Sequence, residues 1–290
     1  MSIDRSIRHI SMLAIGMLAA GLVGGHLHAQ SASAATSPQA LRVCASNAEA
    51  PFSEKDSSGF EDRIAVALAD AMGRKVEFVR TERPGIYLVR DQLDQKNCDV
   101  VMGVDAGDPR VATSKPYHRT GYVLVTKTDR NITASAWDDP QIGQQKRFAI
   151  RLYSPAENIV KQLGRYEDNA AYIYSLVNFV SRRNQWTQVP GDRLVSEVAT
   201  GEADVAIAFA PEVARYVKSS PIPLRMTVIS NDLTQPGGGP ATPLHYDQSI
   251  GVRKDDRQLL DAINAGLEKA RPQIEKILSE EGVPLLKSNT

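Results

Sequence analysis

Cys98-Asp99-Val100-Val101-Met102-Gly103-Val104 and Gly201-Glu202-Ala203-Asp204-Val205-Ala206-Ile207-Ala208-Phe209 state one pattern twice. In each, a polar turn closes a helical segment, an aspartate follows, and an unbroken apolar run reads as a buried strand. Upstream of each, at a similar distance, stands another apolar strand that opens a half: Leu41-Arg42-Val43-Cys44-Ala45 and Phe148-Ala149-Ile150-Arg151-Leu152. Two halves built on one βα plan predict two α/β lobes with a cleft between them.

The rest of the chain fits an exported protein of that kind. Formal charge balances, with 34 basic and 34 acidic residues, so bulk electrostatics favours neither nucleic acid nor a membrane surface. At the N-terminus, Arg5 and Arg8 precede an uncharged apolar run from Ile10 to Val23, and small residues follow around Ala29. This reads as a secretory signal peptide over 1–29, cut after Ala29 or within Ser31–Ala35. The alternative, an uncleaved anchor, is weakened by a run shorter than the ~20 residues that span a bilayer. After cleavage no membrane association is expected. Export makes the two cysteines, Cys44 and Cys98, a candidate disulfide, with two separate buried thiols as the alternative. A metal site is not expected: His118 and His245 are the histidines left after cleavage, and no paired Cys or His spacing accompanies them.

Periodicity fills in the lobes. Residues 30–40 are an Ala/Ser-rich lead-in. Ser58-Gly59-Phe60-Glu61 is a capping-box candidate opening a helix with Phe60, Ile64, Leu68 and Met72 on one face, stopped at Gly73. Ile86, Val89 and Leu93 mark a second helix, and Tyr122–Thr126 a strand making the first crossing between lobes. Ser154-Pro155 and Asp192 are expected helix caps. Ser249–Val252 reads as a strand returning to the first lobe, followed by a long helix that Pro272 should kink or break. The first lobe therefore comprises 41–126 and 249–290, the second 127–248, with two crossings as the hinge. Exported two-lobed proteins with this topology are mostly solute-binding proteins.

In such a fold ligands sit where strand C-termini and helix N-termini face the cleft. The candidate stretches are Asn47–Phe52, the Ser57–Glu61 turn, Asp105–Arg110, Arg151–Ser154 and Phe209–Glu212, and the side chains singled out are Glu61, Asp105, Arg110, Arg151, Ser154, Phe209 and Glu212. Amino-acid binders of this fold need an arginine for the ligand carboxylate and an acid for its amine. Arg110 fits the first role, although the stretch before Pro116-Tyr117 is short. The acid should fall about five residues after Asp204, where Phe209 stands. An ammonium buried there without a carboxylate would cost several kcal/mol, and cation–π contact returns only about 0.5–2 kcal/mol. Ordinary amino-acid recognition is thus disfavoured. Arg151 with Ser154 reads as a solvated arginine and a plain cap, with an anion site as the alternative. Tyr166, Tyr172 and Tyr174, with Phe179 and Trp186 after them, read either as a partner surface or as core. No nucleophile elbow, phosphate loop or dinucleotide fingerprint is present in the sequence, and no enzymatic activity is expected.

Several longer strings resemble the MxaJ (MoxJ) family of methanol oxidation systems. They include Gly59-Phe60-Glu61-Asp62-Arg63-Ile64-Ala65, Cys98-Asp99-Val100-Val101-Met102-Gly103 and Gly107-Asp108-Pro109-Arg110-Val111 with Thr113-Ser114-Lys115-Pro116-Tyr117. Others are Gly164-Arg165-Tyr166-Glu167-Asp168-Asn169, Val195-Ser196-Glu197-Val198-Ala199-Thr200-Gly201, Phe209-Ala210-Pro211-Glu212-Val213-Ala214-Arg215-Tyr216-Val217 and Tyr246-Asp247-Gln248-Ser249-Ile250-Gly251-Val252-Arg253. The resemblance implies a periplasmic protein of the two-lobed, type 2 solute-binding fold (periplasmic binding protein-like II), encoded as an accessory with a PQQ- and calcium-dependent methanol dehydrogenase. It would assist that enzyme in maturation, activation or interaction with its cytochrome c. PQQ and calcium would belong to the dehydrogenase, and no cofactor is expected in this chain. The alternative is an ABC-transporter solute-binding protein for a small ligand other than an ordinary amino acid.

Overall fold

The computed structural model describes residues 39–177, 189–235 and 237–287. The expected signal peptide, and Phe179 and Trp186 of the aromatic stretch, lie outside the described residues.

Strands β1 (Leu41–Ser46), β4 (Val76–Thr81) and β5 (Val100–Asp105) form the first parallel group, with β1 in the middle. A short hairpin of β2 (Ala48–Glu49) and β3 (Ser53–Glu54) and helix α1 (Phe60–Ala71) fill the β1–β4 crossover. After β6 (Ala112–Thr113), the long strand β7 (His118–Lys127) leads to α2 (Pro140–Gly143), β8 (Phe148–Ile150), α3 (Pro155–Gln162), α4 (Tyr166–Leu176) and α5 (Gly191–Thr200). Then come β9 (Val205–Phe209), α6 (Ala210–Lys218), β10 (Leu224–Val228), β11 (His245–Val252) and α7 (Arg257–Glu281). The strand order is β4-β1-β5-β11-β7-β9-β8, with β6 on β11 and β10 on β7.

The repeated sequence pattern becomes a repeated pairing. Val43 faces Val100 in the parallel pair β1–β5, and Phe148 faces Val205 in the parallel pair β8–β9, at the same sequence separation. Strand β7 joins the two groups: His118–Gly121 pair antiparallel with β11, whereas Tyr122–Val125 pair with β9. The predicted crossing at Tyr122–Thr126 is the second half of this strand.

Alternation along the strands builds separate cores. Leu41 and Val43 pack with Phe60, Ile64 and Leu68 of α1 and with Ile263, Ile274 and Ile277 of α7. In the second group, Phe148, Ile150, Val205 and Ile207 face one core, and Ala149, Ala206 and Ala208 the other. Cys44 and Cys98 are joined in a disulfide within a small apolar cluster that includes Leu93 and Val101.

Four local expectations are corrected. The capping box does not form: Gly59 is the N-cap of α1 and no side chain caps it. A Cβ at Gly59 would come 2.3 Å from the Phe52 carbonyl oxygen, and Asp62, the third helical residue, binds Ser53 Oγ and Glu54 N instead. The second helix is a 3₁₀ turn, Gly85–Tyr87, then a π-helical turn, Val89–Leu93, whose winding buries Leu88, Val89 and Leu93 but leaves Ile86 60% exposed. Asp192 does not cap α5, which begins at Gly191 after Pro190. There a side chain would collide with the Glu212 carbonyl, so α5 and α6 touch backbone to backbone. Helix α7 is not broken by Pro272. Ile263 and Leu267 before it and Ile274 and Ile277 after it are buried along one face, which outweighs the ~3 kcal/mol that an interior proline costs. Among the described residues no helix is long and apolar enough to cross a membrane.

Candidate functional site

The carboxyl ends of β1, β5 and β9 and the residue after β8 converge on one cavity of about 360 Å³. Its wall takes Ser46, Glu49, Phe52, Glu61, Asp62, Ile86, Met102, Asp105, Asp108 and Arg110 from the first strand group. Arg151, Phe209 and Glu212 come from the second, and Gln248 from β11. Six of the seven side chains expected in the cleft therefore share this wall. The seventh, Ser154, stands off it at the N-cap of α3, its hydroxyl donating to the Arg151 carbonyl at 2.7 Å. That hydroxyl closes a turn instead of capping α3, and Arg151 is paired rather than solvated, so both the plain-cap reading and the anion-site alternative are corrected.

Glu61 is the most unusual member. As the second residue of α1 it turns inward, 5% exposed, and accepts from the Tyr117 hydroxyl at 2.6 and 2.7 Å to its two oxygens. Gly103 makes room for it: with φ +66°, this residue carries β5 past the carboxyl where a Cβ would sit 3.2 Å from Oε1. Burial pushes the Glu61 carboxyl up to about 8, the Tyr117 hydrogen bond opposes this, and nearby Asp62 adds to it. Burial and the adjacent Glu61 push the Tyr117 hydroxyl well above its ordinary value.

A pH dependence follows. The folded chain holds a proton that an unfolded glutamate, near 4.5, has already released. This stabilisation is complete below the unfolded value and is lost as pH rises toward about 8. Between those limits stability should fall with a slope of up to about 1.4 kcal/mol per pH unit. Thermal melts of wild type and Glu61→Gln from pH 5 to 8 should show that slope flattened in the variant. Parallel curves would place the titration elsewhere.

The two arginines on the wall are already engaged. Arg151 pairs with Glu212 at 2.7 Å and donates from Nε to the Val189 carbonyl at 2.8 Å. Burial raises the Glu212 carboxyl, Arg151 opposes that, and Glu49 from the first strand group adds to it. Arg110 folds back on Asp108, with Nη2 to Oδ2 at 2.6 Å, so Asp108 is held below the usual carboxylate range. Asp105 accepts from Gln248 Nε2 at 2.7 Å. Phe209 ends β9 in a triangle of rings, its centroid 5.8 Å from Tyr122 and 5.9 Å from Tyr246.

Sequence reasoning placed Glu49 within the candidate stretch Asn47–Phe52 without singling it out, and missed Asp62 and Gln248. Glu49 comes from a two-residue strand and Gln248 from the return strand, and neither has a local signal. His118, one residue beyond Tyr117, is buried with neither ring nitrogen hydrogen-bonded among the described residues, and burial lowers it to about 3, so it is neutral. Of the tyrosines, Tyr166 and Tyr172 pack against the second-group core and Tyr174 is exposed.

The profile of the bacterial extracellular solute-binding proteins, family 3, matches residues 41–279. Protein MoxJ of Methylorubrum extorquens is 53% identical over 246 residues, covering 85% of this chain and 81% of that one. Protein MoxJ of Paracoccus denitrificans is 50% identical over 249 residues, 86% and 90% of the two chains. Among solved structures, MxaJ from Methlophaga aminisulfidivorans MPT superposes with a TM-score of 0.80 at 46% identity, over 85% of this chain and all of that one.

Proposed function

Because this chain belongs to the family 3 bacterial extracellular solute-binding proteins and, within them, to the MoxJ (MxaJ) group, we propose that it is a periplasmic accessory protein of methanol oxidation. It acts by binding the PQQ-dependent methanol dehydrogenase, or that enzyme's cytochrome c, and promotes the enzyme's maturation, activation or electron transfer. It is not an enzyme on this reading, and PQQ and calcium belong to the dehydrogenase.

The observation that carries this reading is the state of the cleft. Both wall arginines are consumed by internal carboxylates, and an aromatic ring occupies the position where an amino-acid ammonium needs an acid. Opening the Arg151–Glu212 pair for a ligand carboxylate would leave the largely desolvated Glu212 uncompensated, whereas the more exposed Arg110–Asp108 pair would open at smaller cost. The wall thus suits neither end of a free amino acid, while the family's exported two-lobed frame is kept.

Deletion of the gene should abolish or severely slow growth on methanol and lower dehydrogenase specific activity at least tenfold. Activity and enzyme abundance should be measured separately. A fall in abundance assigns the role to assembly. Normal abundance with electron transfer lost assigns it to the cytochrome step. Wild-type growth and activity would overturn the reading. The alternative, delivery of a small solute to an ABC permease, is favoured by the cavity volume, which lies within the ~300–1,000 Å³ range of small-molecule sites. Mass spectrometry of freshly purified protein with a stoichiometric metabolite would support it.

A further inference from the structure

The cavity wall is asymmetric in charge after its internal pairs are removed. Asp108 is neutralised by Arg110, Glu212 by Arg151 and Asp62 by Arg80 at 3.3 Å. Two ionised carboxyls remain, Glu49 on β2 and Asp105 on β5, with a third carboxyl, Glu61 on α1, that burial keeps protonated near neutral pH until a cation approaches it. Their hydrogen-bond donors are neutral: Gly85 N at 2.8 Å, the Tyr117 hydroxyl and Gln248 Nε2. Among the described residues, the wall has carboxyls without a cation and no cation without a carboxyl.

The wall also carries the apolar side chains of Phe52, Ile86, Met102 and Phe209. A long side chain with a methylene stem and a cationic head matches that pattern, the stem lying on the apolar part and the head among the acids. A free basic amino acid matches less well, since it brings a carboxylate for which no guanidinium is left. A lysine or arginine presented by a polypeptide brings none. The cavity also continues outward. Glu49 and Arg151 are shared with an open groove of about 1000 Å³ whose wall adds Asp56 and Glu82 against Lys55, besides Glu54, which Arg215 already holds at 2.7 Å. That is room for a chain segment and again acidic in balance.

We propose that the cleft is the docking site for a basic segment of a partner protein, with one lysine or arginine side chain inserted between Glu49, Glu61 and Asp105. This deepens the protein-binding reading above and rests on it. The contact is steered by charge, so it weakens with salt.

The test uses the mature chain and two fluorescein-labelled decapeptides, one alternating lysine with leucine and one alternating glutamate with leucine, followed by anisotropy at low salt. The lysine peptide should bind at least tenfold tighter than the glutamate peptide. The double variant Glu49→Gln/Asp105→Asn should lose at least fivefold of that affinity with an unchanged melting temperature. A variant with the same charge change on the exposed face of α7, Asp261→Asn/Glu275→Gln, should bind as wild type does. Equal binding of the two peptides, or equal loss in the cleft and α7 variants, would overturn the proposal. So would saturation by spermidine at a concentration where the lysine peptide shows no binding, which would make the cleft a small-amine site. A methanol phenotype on deletion without lysine-peptide binding would remove this inference alone. Peptide binding without any methanol phenotype would remove the accessory role instead.

Discussion

Replacing both cysteines, Cys44→Ala with Cys98→Ala, should lower the stability of the folded chain by about 4 kcal/mol. The bond closes a loop of sequence separation 54 that contains the hairpin, α1, β4 and the π-helical turn. Tying the loop ends together removes chain entropy from the unfolded state, and the cost of losing that constraint depends on loop length rather than on contacts near the sulfurs. Both cysteines are buried, so alanine also leaves a small void in the cluster of Leu93 and Val101. For a chain of this size the melting temperature should drop by on the order of 10 °C. The effect also reaches the site, because Cys44 lines the cavity and the bond tethers β1 to the start of β5, which carries Gly103 and Asp105. Scanning calorimetry of the double variant, beside wild type unfolded with and without reductant, measures it. A drop under about 2 °C, or a variant unaffected while reduced wild type is destabilised, would show that loop entropy is not the source.

The parts of this molecule readable in the sequence are those set by short-range pattern. Apolar runs such as Val100–Val104 and Val205–Phe209 cannot stay exposed, so the strands and the doubled plan follow from them, and an even pair of cysteines in an exported chain points to one bond. The cleft positions followed from the same plan, because strand C-termini face it whatever their side chains. What the sequence hid was decided across distance. Glu61 in Ser58-Gly59-Phe60-Glu61 has the same local grammar whether it caps the helix or turns inward. The choice was made by Tyr117, 56 residues away. The engagement of Arg110 was local, yet the proximity of Asp108 reads equally as an ordinary turn. Arg151 meets Glu212 only because β8 and β9 are parallel neighbours. Pro272 stays helical because the packing on both sides of it outweighs its local cost.

Arg215→Met should cost about 3 kcal/mol although Arg215 lies outside the apolar cores. Arg215 belongs to α6, which packs with the second strand group, but its guanidinium is bound by the first. Nη1 reaches Glu54 on β3 at 2.7 Å, Nε and Nη2 reach the two oxygens of Glu281 on α7 at 2.7 and 3.0 Å, and Nη2 also donates to the Ser58 carbonyl at 3.1 Å. Lys218, one turn on, adds bonds to the carbonyls of Ser279 and Glu280. Because Glu281 is 5% exposed, removing its bidentate partner leaves a desolvated carboxylate whose remaining cation among the described residues is Arg63 at 3.2 Å. That uncompensated charge, rather than the lost attraction, is the main cost, and a second substitution separates the two. If Arg215→Met/Glu281→Met recovers most of the lost melting temperature, the penalty was desolvation of Glu281. If the double variant is as unstable as the single, the bridge itself holds α6 to β3 and α7. In that case the single variant should also expose the groove beside Glu54 to limited proteolysis and enlarge the radius of gyration in solution scattering. A single variant that melts within 1 °C of wild type, with unchanged scattering, would show that the apolar contacts of α6 hold the two strand groups without Arg215.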